Sequence, residues 1–209
     1  MSGWTAVVPV KRTDVAKTRL SPWAGDRRAA LALAFARDTV AALHACADVG
    51  DVVVVTDDAA AAHTLRAGGT VVVADEPRRG LNPALVHGAG AARARREGVG
   101  VVCVSADLPA LRPDEVGRVL AEASRHPRSF VADASGVGTT VVAFAPGVTV
   151  DPRFGARSRA RHRFLGVVEL GPASIPSVRR DVDTLVDLWD AVRLGVGPAT
   201  RAVLAQRDP

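Results

Sequence analysis

"WTAVVPVKRTDVAKTRLSP" spans residues 4–22, and the reading of this stretch decides the fold. Trp4 to Val10 form a short, almost wholly apolar run rich in valine, as expected of a β-strand covered on both faces. The polar segment that follows contains no glycine, so this strand does not lead into the glycine-rich phosphate turn of a dinucleotide-binding fold. It contains Lys11 and Lys17 instead. Of the 27 lysines and arginines in the chain, only these two are lysine.

Beyond this stretch the same pattern recurs. "DVVVVT" at 51–56, "TVVVA" at 70–74 and "VGVVCVS" at 99–105 read as further buried strands. Between them, residues 27–47 are predicted to be helical, with Leu31, Phe35, Ala42 and Leu43 near one face. Residues 83–98 and 113–125 are also predicted helices; Pro113 suits a first-turn position, and Asp114 and Glu115 suit a helix N-terminus. Strand–helix alternation predicts an α/β fold, a three-layer αβα, Rossmann-like arrangement around a mostly parallel sheet. The second half is less regular. "SFVAD" at 129–133, "TTVVAFA" at 139–145 and "GVVEL" at 166–170 read as strands, the last two separated by a loop, "GVTVDPRFGARSRARHRF". A closing helix follows "DVDT" over 184–194. With no repeat, low-complexity tract or linker, residues 1–209 are expected to form a single domain.

Composition narrows the function classes. At 48% hydrophobic the chain can fill a core, and with 4% aromatics that core must be built from valine, alanine and leucine. The net charge of +5 comes from scattered arginines without the interleaved aromatics that stack bases, so nucleic acid is not the expected partner. Arginine, alanine, valine and glycine are used heavily, as in a high-GC genome, which makes two retained lysines more pointed. Cys46 and Cys103 lie in apolar segments without ligand-like spacing and read as buried free thiols. No targeting pattern or membrane-length apolar run is present, so a cytoplasmic protein is expected, with no membrane partner.

The early strands each end on polar residues: Lys11 after the first, Thr56 and Asp57 after the second, Asp75 after the third, Ser105 and Asp107 after the fourth. In an open α/β sheet the crevice beyond the strand carboxyl ends is where ligands bind. The lysine loop, with Arg12 and Arg19 nearby, reads either as a solvated basic loop or as a cradle for a triphosphate and its leaving pyrophosphate, since a flexible ammonium can follow a moving phosphate. Asp107 suits Mg²⁺, a cation that takes hard oxygen ligands. "RRDVDTLVDL" at 179–188 offers Asp181 and Asp183 as a second ligand; Asp183 also suits the cap of the closing helix, which leaves Asp181 freer to bind metal. "GVGTT" at 136–140 offers backbone amides and hydroxyls to an oxyanion. "FGARSRARHR" at 154–163 adds Gly155, Ser158 and Arg157, Arg159, Arg161 and Arg163, suited to a small acidic substrate or to a basic surface. His162 reads as a solvated loop histidine, with a role as a base as the alternative. "GAGAAR" at 88–93 falls in a helical pattern and reads as a helix-packing feature.

Taken in order, "VPVKRTDVAKTRLSP", "VVTDD", "GLNPAL", "SADLPAL", "FVAD…GVGTT", "FGARSRARH" and "RRDVDTLVDL" resemble the guanylyltransferases of coenzyme F420 biosynthesis, whose branches act on phosphoenolpyruvate or 2-phospho-L-lactate. The resemblance covers nearly the whole chain and implies a nucleotidyltransferase fold. It also implies GTP and phosphoenolpyruvate as substrates, with enolpyruvoyl-2-diphospho-5'-guanosine and pyrophosphate as products. In that scheme Lys17, Asp107 and Asp181 are catalytic, with Asp107 and Asp181 holding Mg²⁺ and Asp183 as the fallback ligand. Thr139, Gly155 and Ser158 bind the three-carbon acid. Lys11, Lys17, Asp57, Gly80, Leu81 and Asn82 lie near the nucleotide. A homodimer is compatible with the scheme. Two departures stand out: Asp14 puts an acid inside the lysine loop, and Thr140 beside Thr139 leaves open which hydroxyl binds. The same reaction on 2-phospho-L-lactate or 3-phosphoglycerate, another nucleotidyltransferase of this fold, and a non-catalytic nucleotide-binding module are the alternatives.

Overall fold

A computed structural model describes residues 3–12, 17, 20–76, 78–171 and 174–206. Asp14 and Arg19 of the lysine loop lie outside them. The valine runs form β1 (Trp4–Pro9), β2 (Val49–Val55), β3 (Val71–Val73) and β4 (Gly100–Val104), followed by β5 (Arg128–Ala132), β6 (Thr139–Phe144) and β7 (Val168–Glu169). They make one seven-stranded sheet in the order β3-β2-β1-β4-β6-β5-β7. β1 pairs in parallel with both β2 and β4, and β2 with β3, while β6 runs antiparallel between β4 and β5. The expected mostly parallel sheet is therefore present, with one reversed strand.

The reason the strands could be read from valine alone is visible in the packing. Ala6, Val8, Val52, Val54, Val102 and Val104 face one apolar layer, and Val7, Val53, Val55, Val101 and Cys103 face the other. The first layer is covered by α2 (Arg28–His44), α3 (Ala59–Leu65), α5 (Pro113–Ala123) and α7 (Pro176–Arg179), the second chiefly by α4 (Leu81–Arg95). Water reaches neither face, so both phases of each strand must be apolar. Gly88 of the "GAGAAR" run packs α4 on the sheet: a Cβ there would lie 2.5 Å from Val55 and 2.6 Å from Val7. Both cysteines are buried free thiols, and burial pushes Cys103 up to about 12, far from the reactive range. Among the described residues no helix is long and apolar enough to cross a membrane.

The remaining helices are short: α1 (Ser21–Ala24), α6 (Ser158–Phe164), α8 (Leu185–Leu194) and α9 (Pro198–Ala205). α6 corrects the loop expected there, and α1, α3, α7 and α9 were not expected. One- and two-turn helices do not repeat an apolar stripe often enough to be seen by periodicity. Leu20, Leu31, Phe35, Val182, Leu188 and Val196 form a third apolar cluster that seats α8 beside α2.

α9 is fixed to α2 by a single carboxylate. Asp38, only 6% exposed, accepts hydrogen bonds from Ala199 N–H (2.9 Å) and Thr200 N–H (2.8 Å), two of the amides that a helix start leaves without intrahelical partners. The approach is so close that a Cβ on Gly197 would lie 2.4 Å from that carboxylate. Asp38→Ala removes two charge-assisted bonds and leaves two donors unmet; urea unfolding is expected to show a loss of about 2–3 kcal/mol.

Candidate active site

The strand order reverses between β1 and β4, and the crevice at such a switch point is where open α/β sheets bind ligands. The chain leaving β1 carries the lysine loop, and the chain leaving β4 carries Asp107. The structure brings them into contact. Lys17 Nζ donates to Asp107 Oδ2 and, at 2.7 Å, to Asp183 Oδ1. Its side chain is 12% exposed, so Lys17 is a largely buried ammonium gripped by two carboxylates. Burial by itself would lower its pKa; the charges of Asp107 and Asp183 outweigh that and raise it, so the ammonium is held firmly protonated. Lys17 adopts a left-handed backbone (φ 55°), a conformation that costs a non-glycine residue about 1–3 kcal/mol and recurs at functional sites.

Backbone geometry explains how Asp181 and Asp183 reach this place. Val182 N–H donates to the Asp107 carbonyl at 3.0 Å, which lays the "DVD" run alongside the turn after β4. Val182 itself is fully buried in the third apolar cluster. In extended chain, alternate residues share a side, so Asp181 and Asp183 both turn away from that core. Asp107 is held from behind: Thr39 Oγ1 on α2 accepts from Leu108 N–H (3.1 Å) and lies 3.2 Å from the Ala106 carbonyl. α1 is tied to α8 where Trp23 meets Trp189 edge-to-face at 5.8 Å, and Arg27 stacks over Trp23 at 5.6 Å.

Asp183 does not cap the closing helix, as its position had suggested. Thr184 does, through a capping box in which its hydroxyl accepts from Asp187 N–H (3.4 Å) and Asp187 Oδ2 accepts from Thr184 N–H (2.8 Å). Asp183 is thereby released to bind Lys17. Asp181 is partly buried, and its pKa is raised to about 7 by that burial and then by the charges of Asp107, Asp183 and Asp133, with Lys17 opposing. Such a surplus of negative charge, in which Lys17 bridges Asp107 and Asp183, suits a divalent cation. Lys17 stands where a cation is wanted. Among the described residues no three metal-binding side chains are already gathered into a cage. Mg²⁺ does not require one, because it is commonly held by one or two carboxylates together with substrate phosphates.

The second half of the site lies beyond β4, at the adjoining starts and ends of β6 and β5. Here the backbone amides of "GVGTT" are not open, contrary to expectation. Asp133, buried at the end of β5, accepts from Val137 N–H (2.9 Å) and Gly138 N–H (2.8 Å) and from Ser135 Oγ (2.9 Å). Its carboxylate takes the place that an external anion would have taken. A Cβ on Gly138 would lie 2.4 Å from Asp133, so glycine is required there by close approach.

The register of β6 shifts at this turn: Val131 faces Val141, but Ala132 faces Thr139, which makes Thr140 an extra residue in a bulge. Thr139 Oγ1 lies 3.1 Å from Ser158 Oγ, which donates to it, and 3.1 Å from His162 Nδ1. Thr140 Oγ1 is buried without a partner among the described residues. The three polar groups Thr139, Ser158 and His162 therefore gather beside Gly155, whose carbonyl accepts from Ser158 N–H at 3.1 Å. Gly155 (φ 114°) and Arg157 (φ 56°) turn the chain sharply into α6.

His162 is not solvated. It is fully buried between Phe130 and Phe154, and burial lowers its pKa to about 4, so it is neutral near pH 7. The available signal was spacing, since Ser158 and His162 stand four apart on one helical face. Of the four arginines, Arg159 is engaged by Glu169 (2.9 Å) and the Gly136 carbonyl (3.0 Å), and Arg163 lies 3.8 Å from Glu169. Arg157 and Arg161 have no carboxylate partner among the described residues.

The residues expected near a nucleotide are spread over the other side of the crevice. Lys11 and Asp57 are exposed at the ends of β1 and β2, and Gly80 (φ 101°) starts α4. Leu81 packs partly against the second apolar layer. Asn82 bonds within the protein: its amide donates one hydrogen to the Phe154 carbonyl (3.1 Å) and accepts from Phe154 N–H (2.8 Å). It clamps the residue next to Gly155 and so holds the turn in front of Ser158.

A family described as "Guanylyl transferase CofC like" matches residues 4–163 of the chain. The phosphoenolpyruvate guanylyltransferase of Streptomyces coelicolor is 58% identical over 204 residues, covering 97% of this chain and 96% of that protein. Among solved structures, a 4-diphosphocytidyl-2C-methyl-D-erythritol synthase superposes with a TM-score of 0.62 at 14% identity, covering 93% of this chain and 99% of that one. A Mycobacterium tuberculosis protein in complex with manganese gives 0.55 at 22% identity, covering 92% and 98%. The fold is thus shared with these solved structures, and the chain belongs to the CofC-like guanylyl transferase family.

Proposed function

We propose that this guanylyltransferase joins GMP from GTP to phosphoenolpyruvate, releasing pyrophosphate, in coenzyme F420 biosynthesis. The observation that carries the reading is the Lys17–Asp107–Asp183 cluster at the switch point, with the Thr139–Ser158 hydroxyl pair on the same rim of the sheet. The S. coelicolor protein named for that activity supports phosphoenolpyruvate as the acceptor.

In this reading an oxygen of the acceptor phosphate attacks the α-phosphorus of GTP, and the bond to the bridging oxygen of pyrophosphate breaks. Both reactants are anions, so the barrier is largely one of bringing like charges together. Asp107 and Asp181, with Asp183, would hold Mg²⁺, which supplies positive charge to the phosphates. Lys17 exchanges its carboxylates for phosphate oxygens and meets charge growing on the leaving group. Thr139, Ser158 and the Gly155 turn hold the acid at a fixed distance and angle.

Incubation with GTP, Mg²⁺ and each of phosphoenolpyruvate, 2-phospho-L-lactate and 3-phosphoglycerate, followed by mass spectrometry, is expected to yield the guanylylated product with phosphoenolpyruvate. GTP binding without pyrophosphate release from any acid would make the chain a nucleotide-binding module instead. Lys17→Ala is expected to slow turnover by about 2–4 kcal/mol in the barrier. Thr139→Val should raise KM for the acid more than for GTP, whereas Thr140→Val, which removes a hydroxyl without a partner among the described residues, should leave both constants unchanged.

A further inference from the structure

His162 does no chemistry in this scheme, yet it is among the largest fully buried side chains and both ring nitrogens are engaged. Its Nε2 lies 3.0 Å from the backbone N–H of Arg153. A backbone amide can only donate, so Nε2 accepts. A neutral imidazole has one N–H, which must then sit on Nδ1, 3.1 Å from Thr139 Oγ1 and within reach of the Ser158 backbone, so Nδ1 cannot accept a hydrogen from Thr139.

Hydrogen counting gives the consequence. Thr139 and Ser158 lie 3.1 Å apart and have two hydroxyl hydrogens between them. One is used in the bond joining them, whichever way it runs. Because the ring donates, no hydroxyl hydrogen is spent on His162, and the second is left for the pocket. The opposite tautomer would need a hydrogen from Thr139, Ser158 would donate to Thr139, and none would remain. We infer that His162 is a positioning residue that, fixed as the Nδ1–H tautomer by the Arg153 amide, commits the Thr139–Ser158 pair to present one donor to an anionic oxygen of the acceptor. This rests on Thr139 and Ser158 binding the acid.

Its neutrality matters as much as its tautomer. Burial, helped by the Arg153 charge, keeps the ring uncharged near pH 7 against a hydrogen bond with the Ser158 backbone and the charge of Asp151, so the donor does not switch with modest changes of pH. Phe130 and Phe154, with ring centroids 5.1 and 6.2 Å from the imidazole, prevent it from rotating to water.

The test compares His162→Leu, which has no donor, with His162→Asn, whose amide nitrogen superposes on Nδ1. Steady-state kinetics on folded His162→Leu should show KM for phosphoenolpyruvate raised about tenfold, the worth of one hydrogen bond, with KM for GTP unchanged. His162→Asn should recover most of that loss. An unchanged acid KM in His162→Leu, or a parallel fall in kcat and both affinities that His162→Asn does not rescue, overturns the inference. Ser158→Ala separates the two levels: if it leaves acid KM unchanged the pocket itself is misassigned, and if it raises acid KM while His162→Leu does not, only the histidine inference fails. Should His162→Leu not fold, long-range ¹H–¹⁵N correlation on the wild-type enzyme decides: a protonated Nδ1 is expected, and a protonated Nε2 sinks the idea.

Discussion

Carboxylates repel, and at one rim of this sheet Asp107, Asp181 and Asp183 are brought together with Asp133 close enough to act on them. What allows the arrangement is one buried ammonium, Lys17, bonded to Asp107 and Asp183. Much of the surrounding structure maintains that meeting. The Val182–Asp107 backbone bond aligns the "DVD" run, Thr39 braces the turn after β4, and the Trp23–Trp189 contact ties α1 to α8. A buried ion pair of this kind is weak evidence for stability, because desolvation offsets the attraction. Its value here lies in holding three acidic residues of two chain segments at one rim of the sheet.

The fold was legible because its central strands are sealed on both sides: four valine runs could be assigned without knowing what covered them. The family motifs were also legible in order. The fine structure of the site was not, and each failure has a physical cause. Asp183 looked like a helix cap because an acidic residue at that position normally is one, but Thr184 with Asp187 forms a stronger reciprocal pair. The amides of "GVGTT" looked open because the anion that fills them is Asp133, a residue of the same chain several positions earlier. His162 looked solvated because four arginines surround it in sequence, while its actual neighbours are Phe130 and Thr139 from the sheet and Phe154 from the start of the same stretch.

The two halves of the cleft are built on different principles. On the side of β1 and β4 the polar groups are charged, with one ammonium bonded to two carboxylates. On the side of β6 they are neutral, buried hydroxyls oriented by an imidazole, and the extra residue in β6 assigns Thr139 to that network and leaves Thr140 out. A bulge beside a site, re-aiming one side chain, accomplishes what adjacent identical residues cannot reveal in sequence.

Asp181 and Asp183 also fall late along the chain. All seven strands are complete by Glu169, before either acid is reached. During synthesis the sheet can therefore close before these two carboxylates exist, and the nascent protein gains them after the Lys17 and Asp107 they are to join.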